Sequence, residues 1–178
     1  MRTMPLGMPR FRGHSDIVRS VVFDGDVKAG CAVSKTAVSG SQMKVVPFNG
    51  ANFFGFAVHD LCSTRKTSSV IRQGEAVCLR VKEGVALSLD SKLAVDNTTG
   101  EIVIAGTAAS TPINADVEEV EAIGLDENLK QVPKCAIINV YLGAVASSAS
   151  VMSVNEPVEE IDIDDGFNPT PAKKEKQK

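Results

Sequence analysis

The stretch CAIINVYL, at Cys135–Leu142, decides the fold class. A short apolar run with β-branched residues predicts a buried strand rather than a helix, which needs a longer segment. Similar runs occur at Phe53–Val58 (FFGFAV) and Ala76–Val81 (AVCLRV), and turn signals such as Asn49-Gly50 separate them. This succession of short strands and turns predicts an all-β body, either a small β-sandwich or a β-barrel.

The remaining predicted strands are shorter. They are Val21–Phe23, Ala32–Val33, Met43–Val46, Ser68–Ile71, Val85–Leu89, Leu93–Val95 and Glu101–Ile104. Gln73-Gly74-Glu75 predicts a break before Ala76, and residues 105–116 are small, polar and typical of a loop. The segment Val117–Ile123 (VEEVEAI) is compatible with either a helix or a strand.

Composition excludes several classes of protein. The 178 residues carry a net charge of -3, and 43% of them are hydrophobic, so the chain as a whole is not disordered. An acidic average disfavours nucleic-acid binding, and an aromatic content of 4% disfavours stacking on single strands. No apolar run approaches the length of a transmembrane helix. We therefore expect neither a nucleic acid nor a membrane as the direct partner.

Charge is unevenly distributed along the chain. Residues 1–19 have four Arg and one Asp, net +3, whereas residues 20–150 have 11 basic and 14 acidic residues, net -3. Residues 151–178 have four Lys and seven acids, also net -3. The sequence predicts three parts: an extended N-terminal arm (1–19), a β-rich body (20–145) and a flexible acidic tail (146–178).

The arm carries contradictory signals. Pro5, Gly7, Pro9 and Gly13 disfavour a helix or a central strand. Its apolar side chains exceed what a solvated tail needs: Met1, Met4, Leu6, Met8 and Phe11. Terminal disorder and an extended arm that becomes ordered against a partner are both consistent with this composition.

The two halves of the body share a weak internal similarity. The order AGCAVS, GFAVHDL, GEAVCLRV in the first half is followed by SKLAVD, VEAIGLDEN, KCAIINVYL in the second. This order indicates two weakly similar β units within one domain.

Catalytic and metal-binding patterns are scarce. His59, Asp60 and Cys62 form a possible nucleophilic group, but adjacent side chains of an extended chain point in opposite directions, so His59 and Asp60 would not orient each other. The run from Asp162 resembles the start of a calcium loop, yet positions six and twelve are Phe167 and Lys173 instead of Gly and Glu. We expect no catalytic residues, no metal, no cofactor and no enzymatic activity.

Several segments resemble the small β-rich capsid cement (decoration) proteins of tailed bacteriophages. The resemblance lies in VKAGCAVS, GFAVHD and GEAVCLRV, then in LAVDNTTGEIVI, EAIGLDEN and AIINVYLGA, which include the D-x-x-T-G turn at Asp96 to Gly100. It covers about residues 20–145, and this chain departs from the pattern by its long N-terminal arm and acidic tail.

The resemblance implies a structural role in a virion. Such proteins bind the outer surface of the expanded shell, often as homotrimers, and clamp neighbouring major capsid protein subunits. We expect this chain to be made in the host cytoplasm, and its candidate capsid-binding residues all lie in the arm: Arg2, Pro5, Pro9, Arg10, Phe11 and Arg12. The alternatives are another virion component, such as a head fibre base or tail protein, and a small β-rich enzyme that uses His59 and Cys62.

Overall fold

A computed structural model of the chain describes residues 2–9, 17–39, 42–60 and 67–143. One compact unit spans Met1–Ser147, and residues 148–178 form a second unit that lies outside the described residues. The described residues contain strands and turns but no helix. The strands are β1 (Arg2–Pro5), β2 (Ile17–Phe23), β3 (Ala32–Ser39), β4 (Gln42–Pro47), β5 (Phe53–Ala57), β6 (Thr67–Arg80), β7 (Leu93–Asp96), β8 (Ile102–Ile104), β9 (Ser110–Pro112), β10 (Ala115–Leu125) and β11 (Gln131–Val140).

Five strands close into a barrel. The order is β2-β4-β3-β5-β6, and β6 returns to pair with β2. All of these pairings are antiparallel except β2–β4, which is parallel. Val21, Val33, Val45 and Val70 fill this part of the core, each at most 2% exposed. The predicted all-β barrel or sandwich is confirmed.

Strand β6 connects the barrel to the rest of the sheet. Its first half pairs with β2 and β5, and its second half pairs with β11, beyond which lie β10 and β1. The prediction of two strands separated by a turn at Gln73-Gly74-Glu75 is wrong, because β6 is continuous over 14 residues. The Gly74 region instead forms a β-bulge, in which Ala76 adopts a φ of 51°.

A second, three-stranded sheet has the order β8-β7-β9. It contributes Leu93, Val95 and Ile102 to the largest core cluster, which also contains Phe56 and Ile138 from the main sheet. The two sheets therefore share one hydrophobic core. An isolated parallel bridge between Val81 and Ile102 also joins them.

The chain differs from the predicted strands at three further places. Val85–Leu89 was expected to be a strand but makes no ladder in the described chain, and Val85 and Leu87 pack against the core as parts of a loop. Residues 105–116, expected to be a loop, contain β9 and the start of β10. The ambiguous segment 117–123 lies within β10, where pairing with β11 decides the conformation.

The two predicted β units have different topologies. Strand β3 lies in the barrel between β4 and β5, whereas β7, at the corresponding position of the second half, belongs to the small sheet. The sequence similarity therefore reflects shared strand composition rather than a repeated arrangement of strands.

Candidate interaction surface

The N-terminal segment forms the edge of the main sheet. Strand β1 pairs in parallel with the end of β10, from Arg2 opposite Ala122 to Pro5 opposite Leu125. Met4 and Leu6 point into the core and are 6% and 2% exposed. Two of the apolar residues that distinguished this segment from a solvated tail, Met4 and Leu6, thus pack against the same chain. The predicted boundary between residues 19 and 20 falls inside β2.

Leu6 and Gly7 attach the segment firmly to the body. Leu6 lies so close to Gly124 that a Cβ atom there would be 2.6 Å from its Cδ2 atom. Gly7 has a φ of +67°, and a Cβ atom on it would be 2.2 Å from the carbonyl oxygen of Ala57. Its N–H donates a 2.8 Å hydrogen bond to the carbonyl oxygen of Cys78. Only glycine allows both the left-handed backbone and this close approach.

The predicted capsid-binding residues divide into two groups. Arg10, Phe11 and Arg12 lie outside the described residues. On either side of that gap, Pro9 bridges to Val77 and Ile17 pairs with Gln73, both on β6. These two positions on β6 are four residues, or roughly 13 Å, apart.

The other three candidates, Arg2, Pro5 and Pro9, lie within the described residues. The Arg2 guanidinium forms an ion pair of 2.5 Å with the Glu119 carboxylate on β10, and its side chain is 37% exposed. Pro5 is exposed at the end of β1, and Pro9 is half-buried. Arg2 and Pro5 therefore lie on an accessible edge of the sheet, and contact with a capsid stays a prediction for all six residues.

A cleft of about 600 Å³ opens between the loop after β6 and the β10–β11 hairpin. Its lining is mostly apolar, with one acid and one base: Val81, Val85, Ala86, Leu87, Val120, Glu121, Ala122, Ile123, Gln131, Pro133, Lys134 and Cys135. Bulges interrupt the pairing of β10 with β11 between Val117 and Gly124. Since a bulge re-aims side chains, four consecutive residues of β10, from Val120 to Ile123, line one cavity.

Sequence reasoning missed this cleft. The alternation rule places neighbouring strand residues on opposite faces, and the bulges of β10 break that rule. The apolar segment Val85–Leu89 gave a partial signal, since three of its apolar residues, Val85, Ala86 and Leu87, line the cleft. Leu89 is 62% exposed, and Leu129, in the turn between β10 and β11, is 75% exposed.

Asp60, one member of the His59, Asp60 and Cys62 group, has a structural role. An Oδ1 atom of Asp60 accepts a 2.7 Å hydrogen bond from the Ala29 N–H and so fixes the turn before β3. Cys62 lies outside the described residues. Burial raises the pKa of the Cys31 thiol to about 12, which makes it a poor nucleophile at neutral pH.

The other two described cysteines, Cys78 and Cys135, are buried and free, and the Cys135 Sγ donates a 3.5 Å hydrogen bond to the carbonyl oxygen of Val132. The neighbouring Cys135 thiol and burial raise the pKa of the Cys78 thiol. Among the described residues no three His, Cys, Asp or Glu side chains are grouped to hold a metal ion. The same part of the chain contains no helix that is long and apolar enough to cross a membrane.

Comparison with known proteins finds a likeness at the level of structure. No protein-family model and no curated protein matches the chain. Among solved structures, the chain is similar to the head fiber gp8.5 N base in bacteriophage phi29, with 9% sequence identity and a TM-score of 0.45 over 72% of this chain and 99% of that chain.

Proposed function

We propose that this chain is a non-enzymatic structural protein of a bacteriophage virion. It binds the outside of the capsid and clamps neighbouring major capsid protein subunits, which stabilises the expanded shell. The proposal starts from the sequence resemblance to capsid cement proteins over residues 20–145. The all-β body is consistent with it.

The attachment of the N-terminal segment to β6 is the observation that carries the proposal. Pro9 and Ile17 are both paired to this strand, and β6 belongs to the barrel and to the β11 side of the sheet. Arg10, Phe11 and Arg12 lie between these two attachment points in the sequence. Because Pro9 and Ile17 are already paired with β6 before any partner binds, less backbone entropy is lost at these two positions on binding.

Binding across several subunits explains the stabilisation. A protein that binds the expanded lattice but not its separated subunits shifts the equilibrium towards the assembled shell. Many copies, associated as homotrimers in this proposal, multiply weak contacts through avidity. The buried thiols and the structural role of Asp60 support a non-enzymatic protein.

Purified virions provide the test. We expect the protein to co-purify with particles at a copy number comparable to that of the major capsid protein. Replacing Arg10 and Arg12 together with Ala should lower its occupancy on particles that lack the wild-type protein, while Lys28→Ala, at an exposed site in the loop before β3, should not. Absence from purified particles contradicts the proposal. Electron microscopy of labelled particles separates a capsid location from a fibre or tail location.

A further inference from the structure

The cleft beside the β10–β11 hairpin presents opposite charges around an apolar floor. Glu121 and Lys134 both line it and both are exposed. They lie on neighbouring strands, one residue before Ala122 and one before Cys135, which are opposite each other in the ladder. In the described part of the chain neither side chain forms an ion pair. An unpaired acid and an unpaired base are thus available to a binding partner.

An exposed leucine lies in the turn of the hairpin that lines this cleft. Leu129 precedes the lining residue Gln131 by two positions and is 75% exposed. Its backbone is left-handed, with a φ of 62°, and its N–H donates a 3.0 Å hydrogen bond to the carbonyl oxygen of Asp126. The Asp126 carboxylate accepts further hydrogen bonds from the N–H groups of Asn128 and Lys130. These bonds fix the turn, so Leu129 is held outwards on a defined loop.

Charge complementarity indicates what fills the cleft. A surface that carries both an acid and a base is complementary to itself when a two-fold axis passes between them, because the rotation places each charge opposite its counterpart. A surface that carries both an apolar projection and an apolar cavity has the same property. Both features occur here on one hairpin and the loop facing it.

We propose that this cleft is the contact surface for a second copy of the chain. Leu129 of each copy enters the cleft of the other, and Glu121 of each copy pairs with Lys134 of the other. The inference rests on the part of the proposed function in which copies associate, and it adds a two-fold contact to the expected trimer. It involves no capsid protein, so it is testable on the purified chain.

Charge reversal tests the contact. Sedimentation equilibrium of the full chain should show that copies associate in pairs through this contact. Glu121→Lys or Lys134→Glu should each weaken the association by about 10-fold in Kd, since each change places like charges opposite each other. The double variant, which restores opposite charges, should return to within about 3-fold of the wild-type Kd. Asp26→Lys is the control, because it changes the net charge by the same amount as Glu121→Lys but lies at an exposed site in the loop after β2. It should leave the Kd of association unchanged.

A second variant tests the apolar half of the contact. Leu129→Ala should weaken association by about 10-fold without a change in charge, and circular dichroism should show the same fold because the side chain is exposed. A wild-type chain that stays monomeric overturns the inference. A trimer whose mass and dissociation are unaffected by Glu121→Lys, Lys134→Glu and Leu129→Ala also overturns it. Neither result bears on capsid binding, which is measured on virions.

Discussion

The side-chain oxygen of Asn139 accepts a 2.8 Å hydrogen bond from the backbone N–H of Ala76, across strands β11 and β6. Ala76 is 2% exposed and occupies the β-bulge with a φ of 51°. The bulge removes this N–H from the regular ladder, and a buried N–H without an acceptor is costly. Asn139 therefore stabilises the irregularity that allows β6 to serve the barrel and the outer sheet.

Asn139→Ala should lower the free energy of unfolding by about 1–3 kcal/mol, because the Ala76 N–H loses its acceptor. Urea denaturation followed by circular dichroism measures the change. Asn128→Ala, at an exposed turn position where only the backbone N–H is hydrogen-bonded to Asp126, should stay within about 0.5 kcal/mol of wild type. Equal effects of the two substitutions would show that the bond at the bulge is unimportant.

Leu6→Ala tests whether the N-terminal segment belongs to the core. Leu6 is 2% exposed and packs with Met4, Ala122 and Cys135. Removing its side chain leaves a cavity and should cost about 2–5 kcal/mol of unfolding free energy. The matched control is Leu89→Ala, whose side chain is 62% exposed. If Leu6→Ala is as mild as the control, the segment does not pack as described.

Gly7→Ala should cost about 2–4 kcal/mol, since it combines left-handed backbone strain with a clash against the Ala57 carbonyl oxygen. Gly84→Ala separates these two causes. Gly84 has a φ of +80° but nothing within 4 Å of a Cβ position, so only the strain of about 1 kcal/mol is expected there. Thermal and urea unfolding of both variants provide the comparison. Equal costs would contradict the close approach of Gly7 to the barrel.

Asp96 makes stability depend on acidic pH. Burial by itself raises the pKa of this carboxyl, but hydrogen bonds from Lys82 and from the Thr99 and Thr98 N–H groups outweigh it and lower the pKa to about 2. Because the folded pKa lies below the ordinary value of 3.8, the stabilisation is present above pH 3.8 and is lost as the pH falls through about 2.

The expected contribution of the Asp96 carboxylate at neutral pH is at most about 2 kcal/mol, since half-exposed Lys82 is partly screened by solvent. Asp96→Asn should remove this contribution, so that its deficit in unfolding free energy at pH 6 shrinks towards pH 2. Urea unfolding at several pH values measures the difference. A deficit that is constant over this range would exclude titration of Asp96 as its origin.

Local sequence patterns predicted most of the strands. Apolar runs such as Phe53–Val58 and Leu93–Val95 coincide with β5 and β7, because these strands are buried on both faces and burial on both faces requires a continuous apolar run. Gly74 was misleading for a physical reason. A bulge and a turn both favour glycine, and only pairing with β11, remote in sequence, distinguishes them.

The position of the N-terminal segment depended on tertiary packing. Irregular structure was indicated by Pro5, Gly7 and Pro9. The chain accommodates these residues in a short edge strand that is followed by a turn. Nothing local in Leu6 specifies that it fills a gap beside Gly30 and Gly124, which lie far away along the chain. The same applies to the cleft, since Val85, Val120 and Lys134 meet only when the hairpin folds over the loop.

The sequence by itself determined the all-β class, since short apolar runs and turn residues are local properties that each strand carries independently. Only the tertiary structure decided that the barrel closes through β6, that the N-terminal segment is part of the sheet, and that an acid and a base flank one apolar cleft. These features depend on pairings between distant segments. Their free energy comes from burial and hydrogen bonds that exist only once the whole sheet has formed.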